Sequence, residues 1–119
     1  MPKKQGFLRR ARLVNGDQFN RVFQRNQRSR DQYFVVLARS NHLPYARLGL
    51  AISRKAAGDA VPRNRLKRLV RESFRKTQTD IAGLDCVVMA RPGAAQCHGT
   101  VLLKSLDNHW AQVARKCEA

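Results

Sequence analysis

The spacing of apolar residues along this chain changes several times, and each change marks an element. Phe19, Val22 and Phe23 recur at helical spacing and predict a first helix near 16–26. Asn15 is placed to cap it, Gln18 stands three residues on, and Val14 and Phe19 sit at staple positions. Arg21 and Arg25 lie on its other side. Tyr33–Arg39 is a β-branched and aromatic run that predicts a largely buried strand. Residues 40–46, with Asn41 and Pro44, connect it to Arg47–Ser53, which alternates cleanly. Leu48, Leu50 and Ile52 make one face of that strand; Gly49, Ala51 and Ser53 make the other. The second face is unusually small. It either sits under a helix or leaves a shallow trough for a ligand, and packing under a helix is the expectation. Residues 54–61 read as a loop turning at Gly58-Asp59, and Pro62 suits the first position of a helix over 62–78. Asp85–Arg91 predicts a second buried strand, closed by Pro92-Gly93. Leu103, Leu106, Trp110 and Val113 stripe a last helix near 100–116, with Trp110 in the core.

The unit 47–91 is strand, helix, strand, with a connection long enough for a crossover, so its two strands are expected to pair in parallel. With the other strand and helices this makes an α+β sandwich, one sheet with helices packed on it. The 119 residues fit a single domain over 1–119, with residues 1–13 as a basic arm that Phe7, Leu8 and Leu13 tack onto the body. No apolar run approaches the roughly 18 residues of a membrane-spanning helix, and the start lacks the apolar stretch of a signal peptide. Cys86, Cys97 and Cys117 are an odd set without CxxC spacing, which points to a reducing, cytoplasmic compartment rather than a disulfide framework. Cys86 reads as a small hydrophobe. Cys97-His98 has no second pair to complete a zinc site, so no metal site is expected. His42, His98 and His109 read as surface or satisfied histidines.

Charge narrows the function. The chain carries 24 Lys+Arg against 8 Asp+Glu, a net +16. All of that excess lies in residues 1–76, with 20 basic and 4 acidic residues; residues 77–119 balance at 4 and 4. Seventeen of the basic residues are Arg, whose planar fork grips phosphate bidentately and stacks on bases. The pattern points to a polyanionic partner.

The densest part is residues 62–76, with seven basic residues and one acid, Glu72. Leu66, Leu69, Val70 and Phe74 make its buried face. Asn64, Arg68, Arg71 and Arg75 fall at spacings of four, three and four on the opposite face, a stripe roughly 16 Å long. Such a stripe can follow a nucleic-acid backbone rather than a single phosphate. Arg63 and Arg65 fall in the expected first turn, where cations oppose the helix dipole by about 0.3–1 kcal/mol each and where free N–H groups invite an anion. Arg54-Lys55 adds charge at the end of the preceding strand.

Arg63-Asn64-Arg65 followed by Leu-Lys-Arg-Leu-Val-Arg-Glu-Ser-Phe-Arg resembles the signature helix of the bacterial ribonuclease P protein subunit. Arg12-Leu13 with Gln18-Phe19 and Val22-Phe23 resembles that family's first helix. Arg47–Lys55 and Asp85–Arg91 resemble the strands on either side of the signature, so the resemblance covers about residues 7–116. It implies an α-β-β-β-α-β-α sandwich of ribosomal-protein-like fold, a left-handed β-α-β crossover, and a short extra strand near Gln27–Arg30. It also implies the accessory subunit of an RNA-based endoribonuclease that removes the 5′ leader of precursor tRNA. The catalyst would be a large RNA holding most of the Mg²⁺, with one protein copy per RNA and no membrane involved. Carried over by position, Arg63, Asn64, Arg65, Lys67, Arg68 and Arg71 would face the catalytic RNA, with Arg75 extending the stripe. Phe19 and Phe23 would line a cleft for the single-stranded leader, and Arg54 and Lys55 would sit near it. Core packing is an equal alternative for Phe23 from spacing alone.

The residues suit that division. Aromatic platforms and basic grooves bind single strands of any sequence. A protein-only nuclease needs clustered carboxylates for metal, whereas the eight acids here are scattered, so no catalytic residue is expected in this chain. A ribosomal or ribosome-assembly RNA binder shares the size and charge. A DNA-binding module fits less well, because the helix shows a backbone-like Arg stripe and no dimer seam.

Overall fold

A computed structural model describes residues 11–13 and 16–118. The elements run α1 (Gly16–Gln24), β1 (Gln27–Arg30), β2 (Phe34–Ser40), β3 (Arg47–Leu50), α2 (Arg54–Ala57), α3 (Ala60–Thr77), β4 (Leu84–Ala90), a 3₁₀ turn (Ala94–Gln96) and α4 (Gly99–Lys116). The expected cap at Asn15, its Val14 staple, and Phe7 and Leu8 of the arm fall outside the described residues.

The four strands form one sheet in the order β1-β2-β4-β3. β2 is antiparallel to β1 and β4. β3 and β4 pair in parallel, Leu48 opposite Cys86, as the intervening α3 requires. Arg12 bridges Leu48 on the outer edge of β3, and the Leu13 N–H donates to the Leu48 carbonyl at 3.0 Å. Leu13 therefore does tack the arm to the body. The extra strand β1 lies where the family order implies it.

Alternation along the strands builds three layers. Phe34, Val36, Ala38, Leu48, Cys86 and Val88 face one side and join a single core with Leu66, Val70 and Phe74 of α3 and with Leu102, Leu106, Trp110 and Val113 of α4. Leu37 and Val87 face the other side and meet Val22 of α1, beside Leu13. Trp110 is buried as expected; its Nε1–H donates to Ser73 Oγ at 2.8 Å, and its ring meets Phe74 edge-on. The α4 stripe sits one residue earlier than expected at its start, since Leu102 is buried and Leu103 only half-buried.

Three expectations change. Residues 54–61 are not all loop: Ser53 Oγ accepts from the Ala56 N–H at 3.1 Å and starts the short helix α2. Gly58, at φ 86°, then turns the chain into α3, which begins at Ala60 rather than Pro62. Pro62 is tolerated at the third helical position because N–H groups there have no intrahelical acceptor. β3 also ends at Leu50 rather than Ser53, although the Ala51 N–H still bonds the Val88 carbonyl at 2.9 Å.

Asp85 organises the end of the sheet. Arg47 grips it bidentately, Nε to Oδ1 at 2.8 Å and Nη2 to Oδ2 at 2.7 Å, and Asn41 Nδ2 donates to Oδ1 at 2.9 Å. That pair raises the Arg47 pKa further above its ordinary value. The 41–46 connection is anchored at this point, because Asn41 Nδ2 also reaches the Tyr45 carbonyl at 3.2 Å.

Candidate nucleic-acid interface

α3 buries Leu66, Val70, Ser73 and Phe74, and its opposite side carries the stripe the spacing predicted. Asn64, Arg68 and Arg71 are exposed and Arg75 half-buried. With Glu72 these side chains line an open groove of about 380 Å³. Glu72 is bound by Arg75, whose Nε–H donates to Oε2 at 3.2 Å and whose Nη2 bonds Oε1, and Lys76 Nζ lies 3.8 Å away. The Arg75 hydrogen bond lowers the Glu72 pKa, and Glu72 in turn raises that of Arg75. Arg75 is therefore partly neutralised, and Arg68 and Arg71 carry the charge of the stripe.

The other basic residues of the motif divide. Because α3 starts at Ala60, Arg63 is its fourth residue and its N–H already bonds the Asp59 carbonyl at 3.1 Å. Arg65 lies in the second turn. The first-turn anion site built from these two arginines therefore does not form as the sequence implied. Arg65 instead turns toward α4: Nη1 donates to the Ala95 carbonyl and Nη2 to the Cys97 carbonyl, both at 3.1 Å. It clamps the 3₁₀ turn and the start of α4 onto α3. Arg63 is half-buried, and its Nε is buried without a hydrogen-bond partner. Lys67 is half-exposed on the Arg63 flank.

On the opposite layer, α1 lies across the sheet. Val22 is fully buried, and Phe19 is half-buried with its ring over Gly49. A Cβ on Gly49 would stand 2.7 Å from two ring carbons of Phe19, so this glycine is a seat for the ring. The small face of β3 is thus packed under a helix. Phe23 is 45% exposed, which removes the core alternative for it. Val35, Ala51 and Met89 are half-buried beside Phe19. This α1 face of the sheet (the trough) is apolar at Val35, Ala51 and Met89 and bordered by the Phe19 ring. Arg54 and Lys55 are exposed on α2, which follows β3.

His98, His109 and Cys86 serve the fold. His109 is 3% exposed; Ser29 Oγ lies 2.7 Å from its Nδ1, and Asp31 Oδ2 lies 3.2 Å from its Nε2. His98 caps α4, its Nδ1 3.0 Å from Thr100 Oγ1. Burial pushes the Cys86 thiol far above its ordinary pKa, leaving it inert. Among the described residues, no three His, Cys, Asp or Glu side chains gather to hold a metal ion.

A basic stripe on α3 and an apolar, aromatic-edged face under α1 lie on opposite layers of an α+β sandwich, a composition suited to RNA. The ribonuclease P family model matches residues 7–114. The chain belongs to the ribonuclease P protein family, whose members are the protein subunit of that ribonuclease; a ribosomal role is not favoured. It is 49% identical over 112 residues to the ribonuclease P protein component of Methylococcus capsulatus, covering 94% of this chain and 88% of that one. It is 44% identical over 115 residues to that of Nitrosococcus oceani, covering 97% of both. Among solved structures, a Staphylococcus aureus RNase P protein mutant with defective mRNA degradation activity superposes with a TM-score of 0.81, at 29% identity and 87% coverage of each chain. The Thermotoga maritima RNase P protein gives 0.74 at 34% identity, over 87% of this chain and 96% of that one.

Proposed function

We propose that this chain bridges two RNAs within the enzyme that makes the mature 5′ ends of tRNAs. The observation that carries this is the placement of the two faces on opposite layers of the sandwich. The α3 face, with Asn64, Arg68, Arg71 and Arg75, binds the catalytic RNA, flanked by Arg63 and Lys67. Arg65 supports this face by fixing α3 to the start of α4. The trough takes the single-stranded 5′ leader of precursor tRNA. Phe23 offers an open ring for stacking, Phe19 shapes the wall, and Arg54 and Lys55 supply charge at the β3 end.

Binding of this kind is sequence-tolerant, as a subunit serving many precursors needs. In this reading the chain's part is to orient the leader, and the Mg²⁺ of the holoenzyme would be held mainly by the RNA and would supply water activation there. One protein copy serves each RNA, in the cytoplasm. Among the described residues no helix is long and apolar enough to cross a membrane.

Reconstitution tests the role. Purified chain added to its cognate catalytic RNA is expected to restore precursor-tRNA cleavage at low Mg²⁺, and the chain alone to cleave nothing. Cleavage by RNA-free protein, or co-sedimentation with ribosomal particles without any effect on tRNA maturation, would overturn it.

A further inference from the structure

We infer that the edge strand β1 extends the leader track: Arg28 and Arg30 bind leader phosphates where the strand leaves the trough. The inference rests on the leader assignment for the α1 face and adds residues to it.

Register places these side chains. Arg28 is opposite Leu37 and Arg30 opposite Val35 on β2. Directly opposed residues in an antiparallel pair share a face, so both arginines stand on the α1 side, next to the trough floor. Ser29, between them, points the other way and meets His109 of α4 at 2.7 Å. Both arginines are exposed. Their nearest acid in sequence, Asp31, is committed elsewhere. Its Oδ1 accepts from the Tyr33 and Phe34 N–H groups at 2.8 and 2.9 Å, and its Oδ2 accepts from Ser105 and lies near His109. Among the described residues no carboxylate forms an ion pair with Arg28 or Arg30.

The sheet order then sets the path. β1 and β3 are its two outer strands, about 14 Å apart at the usual spacing of neighbouring strands. The row Ala51, Met89, Val35 therefore ends at Arg30 on β1, and past Ala51 the chain runs into the exposed Arg54 and Lys55 of α2. The floor between these cations, Val35 and Met89, is apolar. Cations at both ends of an apolar, aromatic-walled floor match a short single strand, with phosphates at the ends and bases between. On the other side of β1, facing α4, a groove of about 460 Å³ also lined by Ser29, Asp31 and His109 holds Lys116, whose Nζ donates to the Arg28 carbonyl. That bond holds a third cation at the strand edge. Arginines on an edge strand also deter edge-to-edge aggregation; that role alone makes no claim on leader affinity.

The test uses holoenzyme reconstituted from the full chain and its cognate catalytic RNA. Precursor-tRNA affinity is measured over leaders of about two to ten nucleotides, for the wild type and for Arg28→Gln/Arg30→Gln. Wild-type affinity should rise with leader length and then level off. The double variant should lose the gain from the longest leaders, about tenfold. Its slope of log K against log salt should fall by about 0.7 for each phosphate no longer neutralised. Arg28→Lys/Arg30→Lys should recover most of the salt slope. Identical length dependence in variant and wild type would overturn the inference while leaving the trough assignment standing. An equal loss at every length would also overturn it, by assigning the two arginines to the catalytic RNA or the tRNA body. A wild type indifferent to leader length would sink the leader reading itself. Thermal melts confirm folding; should the double variant fail to fold, Arg30→Gln alone decides the same comparison.

Discussion

Gly49→Ala separates packing from propensity. Gly49 lies in β3 without the positive φ that would demand glycine. On backbone grounds alone, alanine in a strand should stabilise by about 0.5–1 kcal/mol. The structure reverses the sign. The new Cβ would stand 2.7 Å from Cε1 and Cζ of Phe19 and 3.0 Å from Leu13 Cδ1, where ordinary contact begins at 3.4 Å. The ring must retreat by about 0.7 Å, the difference between those distances. α1 spans nine residues and fully buries only Val22, so the retreat lifts the helix rather than a lone side chain. Overpacking of this kind costs about 1–3 kcal/mol, and subtracting the backbone gain leaves a net loss centred on about 1 kcal/mol. Urea unfolding followed by far-UV circular dichroism measures it. Pairing the change with Phe19→Ala closes a double-mutant cycle, and Gly49→Ala should become neutral or stabilising once the ring is gone. In the holoenzyme the single variant should also weaken precursor tRNA with a long leader more than one with a short leader. A Gly49→Ala protein as stable as the wild type would refute the ring-seat argument.

Other consequences follow from the same geometry. Asp85→Ala leaves Arg47 buried without its partner and should cost about 3 kcal/mol in urea unfolding; a loss under about 1 kcal/mol would show that water takes the partner's place. Arg65→Ala should lower both stability, by about 1–3 kcal/mol, and RNA affinity, because its two bonds to carbonyls of the 3₁₀ turn and the following Cys97 are lost. Arg68→Ala should lower affinity alone, and an equal loss of melting temperature in the two variants would contradict this division. For Asp31, burial raises the pKa, but bonds from Ser105, Phe34, Tyr33 and His109 outweigh it and hold the carboxyl below its ordinary value. Its contribution to stability is therefore complete above the unfolded-state pKa of about 4 and is lost as pH falls through the lower folded value. Asp31→Asn should flatten the acid limb of stability against pH; an unchanged limb would exclude this carboxylate as its source.

Much of the fold was legible because its cues are local. Alternation in β3 and the continuous apolar runs of β2 and β4 reflect which faces are buried, and the 3.6-residue period of α3 and α4 does the same. β1 was not legible from pattern. Its residues are Gln-Arg-Ser-Arg, without an apolar side chain, and its inward residue is Ser29, satisfied by a histidine 80 positions away; only the family resemblance implied it. α2 was missed because four residues carry no period, and its signal was the Ser53 cap. The two-residue error at the start of α3 came from taking Pro62 as the first helical position. That error mattered, since it placed Arg63 and Arg65 in a first turn they do not occupy.

The sequence alone pointed to a polyanionic partner and determined that Asn64, Arg68, Arg71 and Arg75 share one side of a helix. Those follow from composition and helical period, which need no distant partner. Tertiary structure decided the rest: that Phe19 sits on Gly49 while Phe23 stays open, that Arg65 turns inward to two carbonyls, and that Arg28 and Arg30 border the trough. Each depends on strand register or on contacts between residues far apart in the chain, and no local pattern encodes register when an edge strand has no apolar face to bury.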